Sequence, residues 1–314
     1  MAYLCRDCPI PVAERTDLPI TTKGQCNIQV PYTHHRCTGT NGSTESLHGA
    51  ARDMLLCRSL FLASSALHTG QRAADVRCCT SFPATDALYL ADASLLTTTA
   101  TVLGVEADDS GWNVVLDATV FHPQGGGQPS DVGSIAGEAV AFVSARGRAG
   151  SGGVIYHAFD REPQFTAGDL VDCAVDAGHR RLSARTHSAG HLIDVAMSRC
   201  GVLLEPTKGY HWPDGAYVEY ADPPETRMTA DERAALLPRL QAALDAVIAE
   251  DTPTDVRVDE TGTRIVTLGG LACPCGGTHV PKAGSVGVVT VGAVKKKGSG
   301  KKAALRVSYS MGEE

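Results

Sequence analysis

The sequence predicts an α+β protein, a small β-barrel-like section followed by an α/β core. Three observations predict it. Residues 86–178 alternate short β-forming runs with glycine-rich turns. Residues 180–200 repeat apolar side chains at helical spacing and carry two histidines one turn apart. A cysteine and a histidine with the same four-residue spacing stand near the C-terminus. The expected organisation is an extension over 1–85, a β-rich glycine-motif domain over 86–178 and a zinc-binding domain over 179–314.

The 314 residues are 43% hydrophobic, enough for a sizeable core. No run of about 18 apolar residues occurs, so no membrane helix is expected. Thirty-five acids against 28 bases give a net charge of −7. That excludes a protein held to nucleic acid by bulk charge alone, but not a local basic patch. Seven of the 11 cysteines precede residue 80, and the total is odd. In a chain of this size that pattern points to a reducing compartment, and the expected location is the cytoplasm.

Residues 1–85 lack the periodicity of a core helix or strand. Three readings are open. Cys5, Cys8, Cys26, His34 and Cys37 suggest a zinc knuckle, although they fit no single usual ligand spacing. The composition suits a disordered or accessory extension. Residues 54–74, beginning at Met54, hold two arginines, three serines and no acid. That is the composition of an organellar presequence if translation starts there.

Residues 95–107 and 112–121 are rich in β-formers and flank the turn DDSG, so they read as a hairpin. Further strands are expected at 139–145, 154–159 and 170–176. Between them lies FHPQGGGQPSD at 121–131. Its three glycines allow positive φ and close backbone approach. A tight turn and a loop that brings N–H groups to a phosphate or ribose are both open. No GK[ST] follows, so it is not a P-loop.

On the 180–200 helix, His187 and His191 share one face, opposite the stripe of Ala189, Leu192, Ile193, Ala196 and Met197. They are solvated surface histidines or metal ligands. The segment CPCGGTHV at 273–280 favours the second reading. Cys275 and His279 repeat the i, i+4 spacing, and Gly276-Gly277 allows the reversal that makes them converge. Together the four offer an N/S set suited to one tetrahedral Zn²⁺ per chain. Cys273 is a rival ligand that the spacing disfavours. The helix lacks the glutamate of HExxH, which argues against a zincin peptidase.

A helix is expected at 229–250, with Thr229 and Glu232 at capping-box spacing and Pro238 as a kink or break. Residues 286–309 read as a hairpin with a basic tip. Lys295, Lys296, Lys297, Lys301, Lys302 and Arg306 are either a phosphate-binding patch or a solvated turn. Arg180, Arg181 and Arg185 could extend it.

HSAGH at 187–191 and CGGTH at 275–279 resemble the HxxxH and CxxxH zinc motifs of AlaX-type alanyl-tRNA editing proteins, free-standing relatives of the alanyl-tRNA synthetase editing domain. FHPQGGGQPSD looks like the glycine-rich motif of the longer members, and 206–220 like the strand pair after their zinc helix. The resemblance spans about Leu88 to Tyr309. It does not extend to a class II aminoacylation domain. It implies an α/β editing-domain core shared with threonyl- and alanyl-tRNA synthetases. It also implies a zinc-dependent hydrolase serving translation fidelity. Such a protein deacylates tRNA(Ala) carrying the wrong amino acid, serine above all and also glycine. By resemblance His187, His191, Cys275 and His279 are the zinc ligands, and Gly125, Gly126, Gly127 and Gln128 lie near the editing pocket. Thr207 and Lys208 match the pocket-lining stretch loosely. Gln128 and Thr207 are the candidates to pair with a serine hydroxyl. Two alternatives remain: a non-catalytic zinc-stabilised tRNA-binding module, and a different ester hydrolase on the same scaffold.

Overall fold

A computed structural model describes residues 82–108, 111–147, 152–300 and 303–313. The expected knuckle, presequence and extension fall outside the described residues, except for 82–85, as do Lys301 and Lys302. The described residues lie within one compact unit, Ala74–Glu314. Among them no helix is long and apolar enough to cross a membrane.

The first half is a curled seven-stranded sheet with a separate two-stranded pair. A short strand, β1 (Asp86–Ala87), is followed by the hairpin of β2 (Thr97–Asp108) and β3 (Gly111–Leu116). Their register runs from Val102↔Leu116 to Asp108↔Gly111, as the β-forming runs around DDSG imply. After β4 (Ala118–Thr119), which pairs with β1, come β5 (Gly133–Ile135), β6 (Glu138–Val140), β7 (Phe142–Arg146), β8 (Val154–Phe159) and β9 (Leu170–Val175). The order across the sheet is β6-β5-β9-β2-β3-β8-β7. The single strand expected at 139–145 is in fact two, separated at Ala141. β6 pairs with β5 at one edge and β7 with β8 at the other. One bent segment thus brings both edges together and nearly closes the sheet, which leaves little unpaired edge. Alternate residues such as Val171, Cys173 and Val175 point inward, onto Leu116, Phe121 and Ile155.

The second half sets two helices on a sheet. α1 (Ala177–Arg199) starts at Asp176, whose carboxylate accepts the His179 N–H. α2 (Ala230–Ala249) has the expected capping box from Thr229 and Glu232. The expected break at Pro238 does not occur. Leu236, Leu240, Leu244 and Val247 lie on both sides of it and bury in one core, while Pro238 faces solvent. Packing of that stripe keeps the helix continuous. β10 (Pro206–Tyr210), β11 (Tyr217–Ala221), β15 (Val289–Lys297) and β16 (Ala304–Met311) form an antiparallel sheet of order β10-β11-β16-β15. Its inner face, with Val218, Tyr220, Leu305 and Val307, packs on Leu192, Ile193 and Leu244. β12 (Asp255–Val258), β13 (Arg264–Leu268) and β14 (Leu271–Pro274) form a third sheet that leads into the cysteine loop.

Candidate metal centre

The histidine face of α1 is not a solvent face. The helix is buried nearly all round, and His187 is 2% exposed. The glycine loop, the end of β10 and the cysteine loop cover the side that the helical pattern left polar. This corrects the surface-histidine expectation and brings the two histidine motifs together.

His187, His191, Cys275 and His279 each offer one ligand atom, and the four atoms lie within 4.8 Å of one another. Cys275 Sγ is 3.5 Å from His187 Nε2 and 3.3 Å from His279 Nε2. In a tetrahedral zinc site, N and S donors stand about 3.3–3.6 Å apart. His191 Nε2 is buried and has no partner among the described residues, as expected of a ligand facing a cation. Three imidazole Nε2 atoms and a thiolate therefore fit zinc.

The opposite nitrogen of each ring is held from behind. His187 Nδ1 lies 2.7 Å from Gln128 Oε1, His191 Nδ1 3.3 Å from Cys273 Sγ, and His279 Nδ1 3.4 Å from Ser188 Oγ. Cys273, the rival ligand, thus stands behind His191 and outside the cluster of ligand atoms. Burial holds His191 down to about 4 and His187 and His279 well below their ordinary range. All three are neutral near pH 7, the form that coordinates a metal. Burial raises the Cys275 thiol, and the Gly277 N–H and Arg264 oppose that.

Distant segments position this set. Gln128 is fully buried, and both ends of its amide are engaged. Its Nε2 donates to Thr278 Oγ1 at 2.9 Å, and its Oε1 accepts the Thr278 N–H at 3.0 Å. The expectation that Gln128 meets a substrate hydroxyl is corrected: it is a positioning residue behind His187. Gly277 is glycine for space, because a Cβ there would lie 2.2 Å from the His187 ring. Arg264 donates to Cys275 O and Gly277 O in the cysteine loop and to Leu90 O in the β-rich half. Asp131, at the end of the glycine motif, forms a buried ion pair with Arg180, whose guanidinium also reaches Ala93 O and Val120 O.

Arg180 is thus spent on this pair, and Arg185 is buried with its Nε on Val286 O, so neither extends a surface patch. Arg306 is not at a hairpin tip. It is paired with Glu219 and lies over the Tyr217 ring. Lys295, Lys296 and Lys297 are exposed on β15. Thr207 gives its hydroxyl to Glu219 O, and Lys208 stands over Tyr217.

Two residues of the site escaped the sequence analysis. His211 stacks on His187 with centroids 4.6 Å apart, and its Nδ1 is 2.6 Å from Tyr309 Oη. A Cβ at Gly190 or Gly209 would strike its ring, at 2.5 and 2.3 Å. Gly190 in the helix motif is therefore the visible trace of this ring. His122 is 2% exposed, and its Nδ1 has no partner among the described residues. Burial holds it down to about 4, so it is neutral.

Beside the ligands opens a cavity of about 800 Å³. Tyr89, His122, Gly125, Gly126, Arg264 and Cys275 are among its lining residues. Thr207, Lys208, Gly127 and Gln128 are not. The volume suits a small-molecule moiety.

Residues 263–306 match the family model described as Threonyl and Alanyl tRNA synthetase second additional domain. The chain is similar to the alanine–tRNA ligase of Korarchaeum cryptofilum, with 30% identity over 257 residues, 74% of this chain and 27% of that protein. It is also similar to those of Haloquadratum walsbyi, at 27% over 234 residues (67% and 24%), and Methanobrevibacter smithii, at 27% over 258 residues (74% and 27%). The chain spans about a quarter of the length of these relatives. It is thus related to alanine–tRNA ligases over part of their length and, at residues 263–306, to the second additional domain.

Proposed function

We propose that the protein is a zinc-dependent hydrolase that removes a wrong amino acid from tRNA(Ala), acting chiefly on seryl-tRNA(Ala) and also on glycyl-tRNA(Ala), in the manner of free-standing AlaX-type proteins. One observation carries the reading: the three-histidine, one-cysteine cluster reaches, through Cys275, a cavity that the glycine loop also lines. The similarity to alanine–tRNA ligases supports the choice of tRNA.

A bound zinc ion would supply Lewis-acid polarisation and an anchor for the substrate. The rest belongs to the chain. An aminoacyl ester is already activated, so placement of a water and of the carbonyl dominates the barrier. Gly126 and Gly276 line the cavity, and their N–H groups donate to no acceptor among the described residues. They are the donors available to a developing oxyanion. Neutral His122, whose Nδ1 has no partner among the described residues, is a polar ring on the wall. Pairing with a hydroxyl is the route by which serine is separated from alanine, since a methyl group supplies little discrimination.

The test is hydrolysis of seryl-tRNA(Ala) and alanyl-tRNA(Ala) by the zinc-loaded protein. Fast release of serine with alanine spared supports the reading. A folded, zinc-loaded protein that releases neither contradicts it and favours a non-catalytic tRNA-binding module.

A further inference from the structure

The outer face of the β10-β11-β16-β15 sheet carries a column of parallel planes. The Trp212 and Tyr210 rings stack at 4.6 Å and 17°, and Tyr210 and Tyr217 at 5.2 Å and 13°. The Arg306 guanidinium closes the column 3.7 Å above Tyr217, and Lys208 Nζ stands 5.8 Å from the same ring. Strand alternation turns Lys208, Tyr210, Tyr217 and Arg306 outward, while Val218, Tyr220, Val307 and Tyr309 face the core. The pairings Lys208↔Glu219, Glu219↔Arg306 and Arg306↔Lys295 make one cross-strand row. It holds three cations against one carboxylate, in a chain whose net charge is −7. Lys297, two residues beyond Lys295 on β15, is exposed and shares its face by strand alternation.

Core packing does not explain this face, because the apolar residues of these strands point the other way. Trp212 has a ring partner on one side only among the described residues. A planar base continues such a column, and phosphates meet the lysines. The segment that carries Trp212 is also tied to the glycine loop. The His211 N–H donates to Gly127 O at 2.8 Å, and Gly125 and Gly126 of the same loop line the cavity.

We propose that this face is a docking surface for single-stranded RNA, with a base stacked on Trp212 and the backbone along the Lys208–Lys295 row. The proposal rests on the tRNA reading only in naming the RNA, the unpaired 3′ end of a tRNA.

The experiment measures binding of the full chain to a fluorescein-labelled eight-nucleotide RNA ending in CCA-3′, and to the same strand in a duplex. The single strand should bind more tightly. Trp212→Ala should weaken it by about tenfold, and Trp212→Phe by about threefold or less. Lys208→Ala and Lys295→Ala should each flatten the logarithmic salt dependence by about one unit. If Trp212→Ala does not fold, the exposed lysine variants decide. A folded Trp212→Ala that binds as the parent does, unchanged salt slopes in the lysine variants, or a preference for duplex overturns the proposal. Hydrolysis of seryl-tRNA(Ala) by the parent is read alongside. Trp212-dependent RNA binding without hydrolysis keeps the docking surface and removes the deacylase. Hydrolysis with Trp212-independent binding does the reverse.

Discussion

Gln128 and His187, 59 residues apart, are joined by a buried hydrogen bond of 2.7 Å. The Thr278 N–H donates to the same Gln128 oxygen, which fixes the amide's orientation. His187 Nδ1 must therefore carry its proton, and Nε2 presents its lone pair toward Cys275. The glycine motif and the zinc motifs act as one unit through this contact.

Gln128→Ala should consequently weaken zinc binding by about 10–100-fold without changing the stoichiometry. Titration against a competing chelator measures this. An unchanged affinity would show that His187 needs no such orientation.

The two cysteines should separate cleanly. Cys275→Ala removes a ligand and should abolish retention of one zinc through gel filtration. Cys273→Ala should keep one zinc with about tenfold lower affinity, because that thiol only backs His191. Equal losses in metal analysis would contradict the assignment.

Asp131→Ala leaves the buried Arg180 guanidinium without its carboxylate. The expected loss of stability is about 3–5 kcal/mol. Urea unfolding measures it, and a change below about 1 kcal/mol would mean that the pair is not the joint between the glycine motif and α1.

Asp194, which accepts the Tyr220 hydroxyl, gives a pH signature. Burial raises its carboxyl from 3.8 to about 6. Between these values the folded state holds the proton more tightly than the unfolded state. Its contribution is therefore most favourable below about pH 4 and declines as pH rises through 6. Above that the ionised group costs at most about 3 kcal/mol. Asp194→Asn should be more stable than the parent at pH 7, with the advantage shrinking toward pH 4. Urea midpoints at both pH values test this, and a gap that does not narrow on acidification would count against it.

Much of the site was legible because i, i+4 spacing is a local signal. His187, His191, Cys275 and His279 needed only that. What was not legible depends on contacts distant in sequence. Gln128 meets Thr278 across 150 residues, so its part as a support for His187 has no local trace. His211 is a lone histidine just past the end of β10, visible only through the glycines that make room for it. In the fold, strand-forming runs located the sheet. They could not show that Ala141 bends one strand to join both edges, nor that burial on both sides of Pro238 holds α2 together.

The most direct test of the central claim is the rate of serine release from seryl-tRNA(Ala) as zinc is added back to metal-free protein. The rate should rise in proportion to zinc and level off at one equivalent, with no rise for His191→Ala. Full activity in the metal-free protein, or an active His191→Ala, would contradict the account.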